Sequence, residues 1–359
     1  MSLSSTHNQS AWLATLPPFA ESPLEVLSTT QAEDYTLHKV TSGGATLVVK
    51  YYFERAQKST ALIVLPAKDR AQAESLALET YAPRGIALEL LWSGDAPAHL
   101  GGYIVIYCSP KGTSAAWRQH DDKEIEAYTS VLRAVHDAPV ELRLLSPRPR
   151  NLDAWWFQVH EIYRDIPADL LRALPATIED LLARLTQTVA ADSHAHKRFW
   201  QGAALTPIHG TPFPHNVLLS DSAATLVDWQ LFGLGDPAYE VAATSCMLAE
   251  SSGPSAADKL VETYLSHTDD IMLERRVKIY RRVWQFGYVL QLLYATWDPA
   301  HFGGAYDVRS SETKESLVYH FRTCMETYGW TPNITEVALE ELQTCMGKLP
   351  TEVGSDDGD

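Results

Sequence analysis

Residues 207–242, PIHGTPFPHNVLLSDSAATLVDWQLFGLGDPAYEVA, concentrate the side chains whose types and spacing could do chemistry. His209, Gly210 and Thr211 are followed, five residues on, by Asn216. Two short apolar runs around a polar turn at Ser220 to Ala223 then read as a hairpin that returns Asp228 to the neighbourhood of Asn216. That spacing is what a magnesium site needs, because a hard divalent cation takes oxygen ligands at nearly octahedral geometry and can bridge phosphates. His209 and His215 add two imidazoles, each of which could equally brace the turn through hydrogen bonds.

In layout this segment resembles the aminoglycoside phosphotransferase and choline kinase group of small-molecule kinases. That group has His-Gly-Asp, four further residues, Asn, a hairpin, Asp-Trp or Asp-Phe, and then Gly-x-Pro; here His209, Gly210, Asn216, Asp228, Trp229, Gly235 and Pro237 fall at matching places. The resemblance runs from about Thr30 to Tyr328, with its specific motifs confined to Ile208 to Pro237. It implies ATP and Mg2+ as cofactors, Asn216 and Asp228 as metal ligands, and His209 as a brace of the catalytic loop. One position departs from the pattern: the group's catalytic Asp falls on Thr211. A threonine hydroxyl has no accessible anionic form at neutral pH and cannot act as a general base. Three readings follow. Phosphoryl transfer proceeds without that base, since it rests mainly on positioning and charge stabilisation; another base such as His215 or His209 serves; or the fold has changed its chemistry, as a pseudokinase-type ligand-binding protein or an enzyme transferring another part of ATP.

The elements that must position these residues divide by texture. From Asp34 onward, DYTLHKV, ATLVVKYYF and ALIVL read as three antiparallel strands, Asp69 to Tyr81 as one helix, and IALELLW and YIVIYC as two more strands. Long helical patterns dominate after Pro110: Asp122 to His136, Leu170 to Ala191, Ala256 to His267, Ile271 to Trp297 and Lys314 to Tyr328. The expected fold class is α+β, a small antiparallel sheet carrying one helix followed by a larger, mainly helical part, and the resemblance implies that these are the N-lobe and C-lobe of a two-lobed protein-kinase-like fold. The expected divisions are a lead-in over 1–30, a nucleotide-binding N-lobe over 31–109, a C-lobe over 110–350 and a disordered acidic tail over 351–359.

Within the small lobe, Ser42, Gly43 and Gly44 form the preferred phosphate loop, their missing side chains letting backbone N–H groups approach anions; an ordinary hairpin turn is the alternative. The family's nucleotide lysine is assigned to Lys68, just past the third strand. Lys50 competes in a shifted register that makes Thr29 to Asp34 the phosphate loop, a segment with no glycine. Glu74 is the acidic partner of that lysine, with Glu79 as fallback. Ile106 to Ser109, including Cys108, form the hinge whose backbone would bind adenine. Asp236 and Glu240 are expected to cap and orient the helix that follows them.

For the acceptor, the resemblance implies a cleft between the catalytic loop and later helices. Trp155, Trp156, Trp284, Tyr288 and Trp297 could line it, although an aromatic stripe at helical spacing is more often core. Asp153, Glu161 or Asp165 would favour a cationic or amine-bearing alcohol. The chain has 359 residues, 45% of them hydrophobic, and a formal charge of −16. That charge argues against a nucleic-acid partner. No apolar run reaches the ~20 residues that span a bilayer, and MSLSSTHNQS lacks the regions of a secretion signal, so a cytoplasmic protein with no membrane partner is expected. Cys108, Cys246, Cys324 and Cys345 lack metal-site spacing and read as plain thiols.

Overall fold

The computed structural model describes residues 12–20, 22–32, 35–53, 65–116, 119–140, 152–164, 166, 172, 174–220, 223–297 and 311–347. Contacts divide the chain into two compact units. One comprises Met1–Lys58, Ile63–Arg150 and Ala203–Glu274; the other comprises Ser59–Leu62, Asn151–Gly202 and Arg275–Asp359. The segment carrying His209 to Asp228 gathers with the sheet in the first of these units.

The first unit is built on a five-stranded antiparallel sheet of β1 (Leu24–Gln31), β2 (Tyr35–Ser42), β3 (Ala45–Tyr52), β4 (Leu90–Asp95) and β5 (Tyr103–Cys108), in the order β1-β2-β3-β5-β4. Strand alternation sorts β3 into two faces. Leu47 and Val49 join Val40, Ile104 and Ile106 in a core closed by Trp12, Leu13, Leu16 and Phe19. Lys50 and Tyr52 point to the other side, where helix α1 (Ala67–Tyr81) brings Glu74 against them. The expected lead-in thus supplies both a strand and part of the core. Its strand, β1, was unreadable because it is a mostly exposed edge, LEVLSTTQ, with almost no alternation. The expected strand ALIVL lies, apart from Leu65, outside the described residues, as does the acidic tail.

After β5, the short strand β6 (Thr113–Ser114) pairs with β8 (Val217–Ser220), which pairs in turn with β9 (Ala223–Leu226). The hairpin read from VLLSDSAATL is therefore present, its tip at 221–222 outside the described residues. Helix α2 (Asp122–His136) starts at a capping box, Asp121 accepting from the Glu124 N–H and Glu124 returning the bond to Asp121 N–H. In the second unit lie α3 (Leu152–Arg164) and α4 (Ala176–Ala195). The loop strand β7 (Thr206–Ile208) pairs with β10 (Gly233–Gly235), and α5 (Pro237–Ser252) and α6 (Pro254–Leu265) follow in the first unit. The buried α5 begins with Asp236 capping the Ala238 N–H at 3.0 Å, as expected of that residue.

Helix α7 (Leu273–Trp297), α8 (Ser311–Thr327) and α9 (Pro332–Gly347) complete the second unit. Trp155, Trp284 and Tyr288 are buried there, and Trp284 stacks on Tyr288 with centroids 4.8 Å apart. These aromatics are core, as their helical spacing suggested. Asp165 lies outside the described residues. No helix among the described residues is long and apolar enough to cross a membrane.

Candidate functional site

Lys50 is the organising residue. A lysine flanked by Val48 and Tyr52 in an apolar strand can be buried only if anions meet it, and it is 1% exposed. Its Nζ lies 2.5 Å from Asp228 Oδ1 and 3.4 Å from both oxygens of Glu74. The rings of Tyr35 and Tyr52 flank the ammonium at 4.5 and 4.9 Å. Burial works against the charged ammonium, yet Asp228 and Glu74 outweigh it and hold the Lys50 pKa well above the ordinary lysine value. Glu74 also accepts a 2.5 Å hydrogen bond from the Tyr52 hydroxyl. Its burial pushes its pKa up more than Lys50 draws it down, whereas at Asp228 the lysine outweighs burial and lowers the pKa.

Asp228 has the left-handed backbone, φ 64°, the one positive φ among described non-glycine residues. Aspartate tolerates that region better than most residues, and its neighbour secures it. The Trp229 indole donates to Leu226 O at 3.0 Å and stacks on Tyr81 of α1 at 4.9 Å. The turn that presents Asp228 and the helix that presents Glu74 are thus clamped together beside Lys50.

Asn216 is the next neighbour. Its carbonyl accepts the Val227 N–H at 3.0 Å, which places it one residue from Asp228, and its Nδ2 donates to Thr211 O at 2.9 Å. With the amide nitrogen so engaged, Asn216 Oδ1 is the atom left to join the Asp228 carboxylate as a cation ligand. Two oxygens of this kind suit Mg2+, whose other positions are normally taken by phosphates and water.

The loop holding Thr211 is fixed from below. His209 is fully buried; its Nε2–H donates to Val227 O at 3.0 Å and its Nδ1 accepts the Thr211 N–H at 3.3 Å. Both ring nitrogens are consumed, which makes His209 a brace and removes it as a proton acceptor. Burial lowers its pKa further than Glu240 and Asp228 raise it, keeping it neutral. Glu240 on α5 accepts the His209 and Gly210 N–H groups at 3.2 and 2.6 Å and also meets His136 Nε2 at 2.7 Å. His136 Nδ1 in turn lies 2.6 Å from the Tyr264 hydroxyl. Glu240 was read only as a helix-orienting residue; its loop-anchoring role has no signature in sequence beyond its place after Gly-Asp-Pro. Gly210, φ 98°, passes so close to Leu231 that a Cβ would sit 2.6 Å from the Leu231 carbonyl oxygen. His215 is the loop imidazole left open to solvent, its ring 5.7 Å from that of Phe213.

The structure does not bring together all the residues singled out from sequence. Lys68, in the first turn of α1, is exposed and lines a groove with Gln72, Ser75, Glu79 and Tyr103, apart from Asp228. Lys50 takes the place expected of it beside Glu74. With β1 as the first strand, Lys50 falls on the third, and of the segment Thr29 to Asp34 the residues Thr29, Thr30 and Gln31 belong to β1 rather than to a loop. Ser42, Gly43 and Gly44 close the β2–β3 hairpin, the two glycines at φ 57° and 81° as a tight two-residue turn requires. Lys50 lies five residue steps along β3 from Ala45, about 16 Å at the strand rise per residue, so that turn is at the wrong end of the strand to share phosphates with Lys50. The β1–β2 connection is at the right end, since Gln31 pairs with Thr36 and Tyr35 with Tyr52; its residues 33 and 34 lie outside the described residues. Ile106 is inside β5, paired with both Val49 and Trp92, while the Cys108 N–H bonds Glu89 O and the Ser109 N–H bonds Thr46 O. The sheet therefore already holds the Cys108 and Ser109 amides that the hinge assignment would use.

Comparison with known proteins gives a consistent picture. The model of the family described as "Phosphotransferase enzyme family" matches residues 31–276. Protein LicA of Haemophilus influenzae is 32% identical over 117 residues, which cover 28% of this chain and 43% of that protein, less than half the relative's length. The crystal structure of choline kinase LicA from Streptococcus pneumoniae superposes with a TM-score of 0.57 at 14% identity, covering 90% of this chain and 98% of that one. The GDP and kanamycin complex of an aminoglycoside 2''-phosphotransferase superposes with a TM-score of 0.57 at 17% identity, covering 87% and 98%. At these identities the likeness is one of fold, a two-lobed kinase-like arrangement.

Proposed function

Because the chain belongs to the phosphotransferase enzyme family, its match spanning residues 31–276, we propose that it is an ATP-dependent phosphotransferase acting on the hydroxyl of a small molecule. The observation that carries this reading is the convergence of Lys50, Glu74 and Asp228 within 3.4 Å of the lysine nitrogen, one residue from Asn216. Two carboxylates from separate stretches of chain meet a buried lysine, a charge cluster whose desolvation costs stability and which marks a functional site.

In this reading Lys50 binds the nucleotide phosphates and Glu74 orients it. Asn216 Oδ1 and the Asp228 carboxylate would hold Mg2+, which when bound neutralises charge on the transferring phosphoryl group. Thr211 stands where the acceptor hydroxyl would be oriented. Its neutral side chain can hydrogen-bond that hydroxyl without taking its proton, and His215 is the loop group open to receive it. General-base assistance is typically worth ~10²- to 10⁴-fold, so a slow enzyme is the expectation. The proteins it resembles in fold include, by their titles, a choline kinase and a kanamycin-bound phosphotransferase. Both molecules carry nitrogen cations beside hydroxyls, and a cationic or amine-bearing alcohol is the acceptor class we infer.

Calorimetry tests the reading without knowing the acceptor. The wild type should bind ATP tightly only with Mg2+, and Asp228→Ala should lose that tight binding while remaining folded. A folded wild type that binds no nucleotide overturns the proposal.

A further inference from the structure

The Lys50 ammonium has a choice of anions, and the distances record an unequal one. It lies 2.5 Å from Asp228 Oδ1 and 3.4 Å from Glu74. Glu74 has a second, closer partner in the Tyr52 hydroxyl, at 2.5 Å from Oε2. Tyr52 is itself immobilised: it is fully buried, its ring stands edge-on to Tyr35 at 6.0 Å, and the Arg70 guanidinium lies 5.2 Å from its centre. Arg70 is anchored in turn to the Phe53 carbonyl at 3.2 Å. A carboxylate on a helix can swing about its side-chain torsions, whereas a phenol packed inside a sheet cannot. The Glu74 carboxylate is therefore pinned by the sheet through Tyr52 more closely than by the lysine it serves.

We propose that Tyr52 is a positioning residue for nucleotide binding, its hydroxyl fixing the Glu74 carboxylate as the place to which Lys50 retires when Asp228 is claimed by a cation. The inference rests on the functional reading above and deepens it. A divalent ion on the Asp228 carboxylate competes with Lys50, held at 2.5 Å by Oδ1, for the charge of that group, so Lys50 leans toward Glu74 as Mg-ATP enters. Glu74 can receive it without rearrangement only if its carboxylate already faces the ammonium. The Tyr52 hydroxyl enforces that orientation, and the rings of Tyr35 and Tyr52, 4.5 and 4.9 Å from Nζ, keep the ammonium between them as it shifts.

The test is a double-mutant cycle on Mg-ATP affinity, read by calorimetry, with Tyr52→Phe, Glu74→Ala and the pair, each checked for an intact thermal transition. Tyr52→Phe deletes one oxygen and keeps the ring. It should weaken Mg-ATP binding about tenfold, the scale of one hydrogen bond to a charged group, while in the Glu74→Ala background the same change should have no further effect. Binding of ATP in EDTA, where Asp228 keeps Lys50, should be equally weak with and without the hydroxyl. Unchanged Mg-ATP affinity in Tyr52→Phe overturns the proposal, as does a loss that repeats in full on Glu74→Ala, since a purely structural tyrosine would act independently of Glu74. If Glu74→Ala does not fold, Glu74→Leu, which fills the space and offers the hydroxyl no acceptor, replaces it in the cycle. A wild type that fails to bind Mg-ATP overturns the functional reading itself, an outcome separate from normal wild-type binding with an indifferent Tyr52→Phe.

Discussion

At the scale of single residues, the two lysines make opposite predictions. Lys50→Met removes the cation between two carboxylates, one fully buried, and should abolish Mg-ATP binding and lower the thermal midpoint; Lys68→Met, on an exposed helix turn, should change neither. Calorimetry and thermal melts on both variants check this, and equal losses would sink the assignment. Thr211→Asp supplies a carboxylate where a proton acceptor is missing. With a hydroxyl acceptor it should raise turnover by ~10²-fold or more, measured as acceptor-dependent ADP release across a panel of amino alcohols. A pH prediction follows from His209. Burial lowers its pKa in the folded state, so the unfolded chain binds its proton first. The stability this group contributes is full above its unfolded value, ~6.5, and is lost as pH falls through the folded value. The thermal midpoint should therefore decline as pH drops below ~6.5, and His209→Gln, which cannot be protonated, should flatten that part of the profile.

At the scale of elements, the catalytic loop is held by α5 rather than by its own sequence. Glu240 receives two loop amides and His136, so Glu240→Ala leaves three buried donors without an acceptor and should cost about 3–5 kcal/mol, measured by urea denaturation. Glu240→Gln should recover part of this, because one amide oxygen can still accept. The strand register shows how such contacts escape a sequence reading. The β2–β3 turn was legible as a turn from Ser42, Gly43 and Gly44, but its rank in the sheet was not, because β1 is an exposed polar edge. Missing one edge strand moved the next two strands down by one place, and Lys68 displaced Lys50. The signal available was Lys50 itself, a lone charge in an apolar strand followed by a tyrosine, which demands a buried anion.

At the scale of the whole molecule, every residue of the proposed nucleotide and metal site lies in the unit formed by Met1–Lys58, Ile63–Arg150 and Ala203–Glu274. A ligand that binds the folded state alone stabilises it by mass action, ~2.7 kcal/mol at a hundredfold excess over Kd. Mg-ATP should accordingly raise the thermal midpoint of the wild type and leave that of Asp228→Ala unmoved. The sequence by itself determined the local chemistry: the loop from His209 to Asn216, the hairpin that returns Asp228, the aromatic after it, the absence of an aspartate at Thr211, the acid at Glu74 and the capping by Asp236. These are legible because each depends on neighbours a few residues away, where spacing and turn geometry settle the outcome. Tertiary structure alone decided which lysine meets Glu74 and Asp228, that Tyr52 pins the acid, that both nitrogens of His209 are spent, and that Glu240 holds the loop from another helix. Apart from the bond between His209 and Thr211, those facts depend on contacts between residues 18 to 178 positions apart. Burial fixes such contacts by requiring each charge and each polar hydrogen inside the fold to find a partner, wherever along the chain that partner lies.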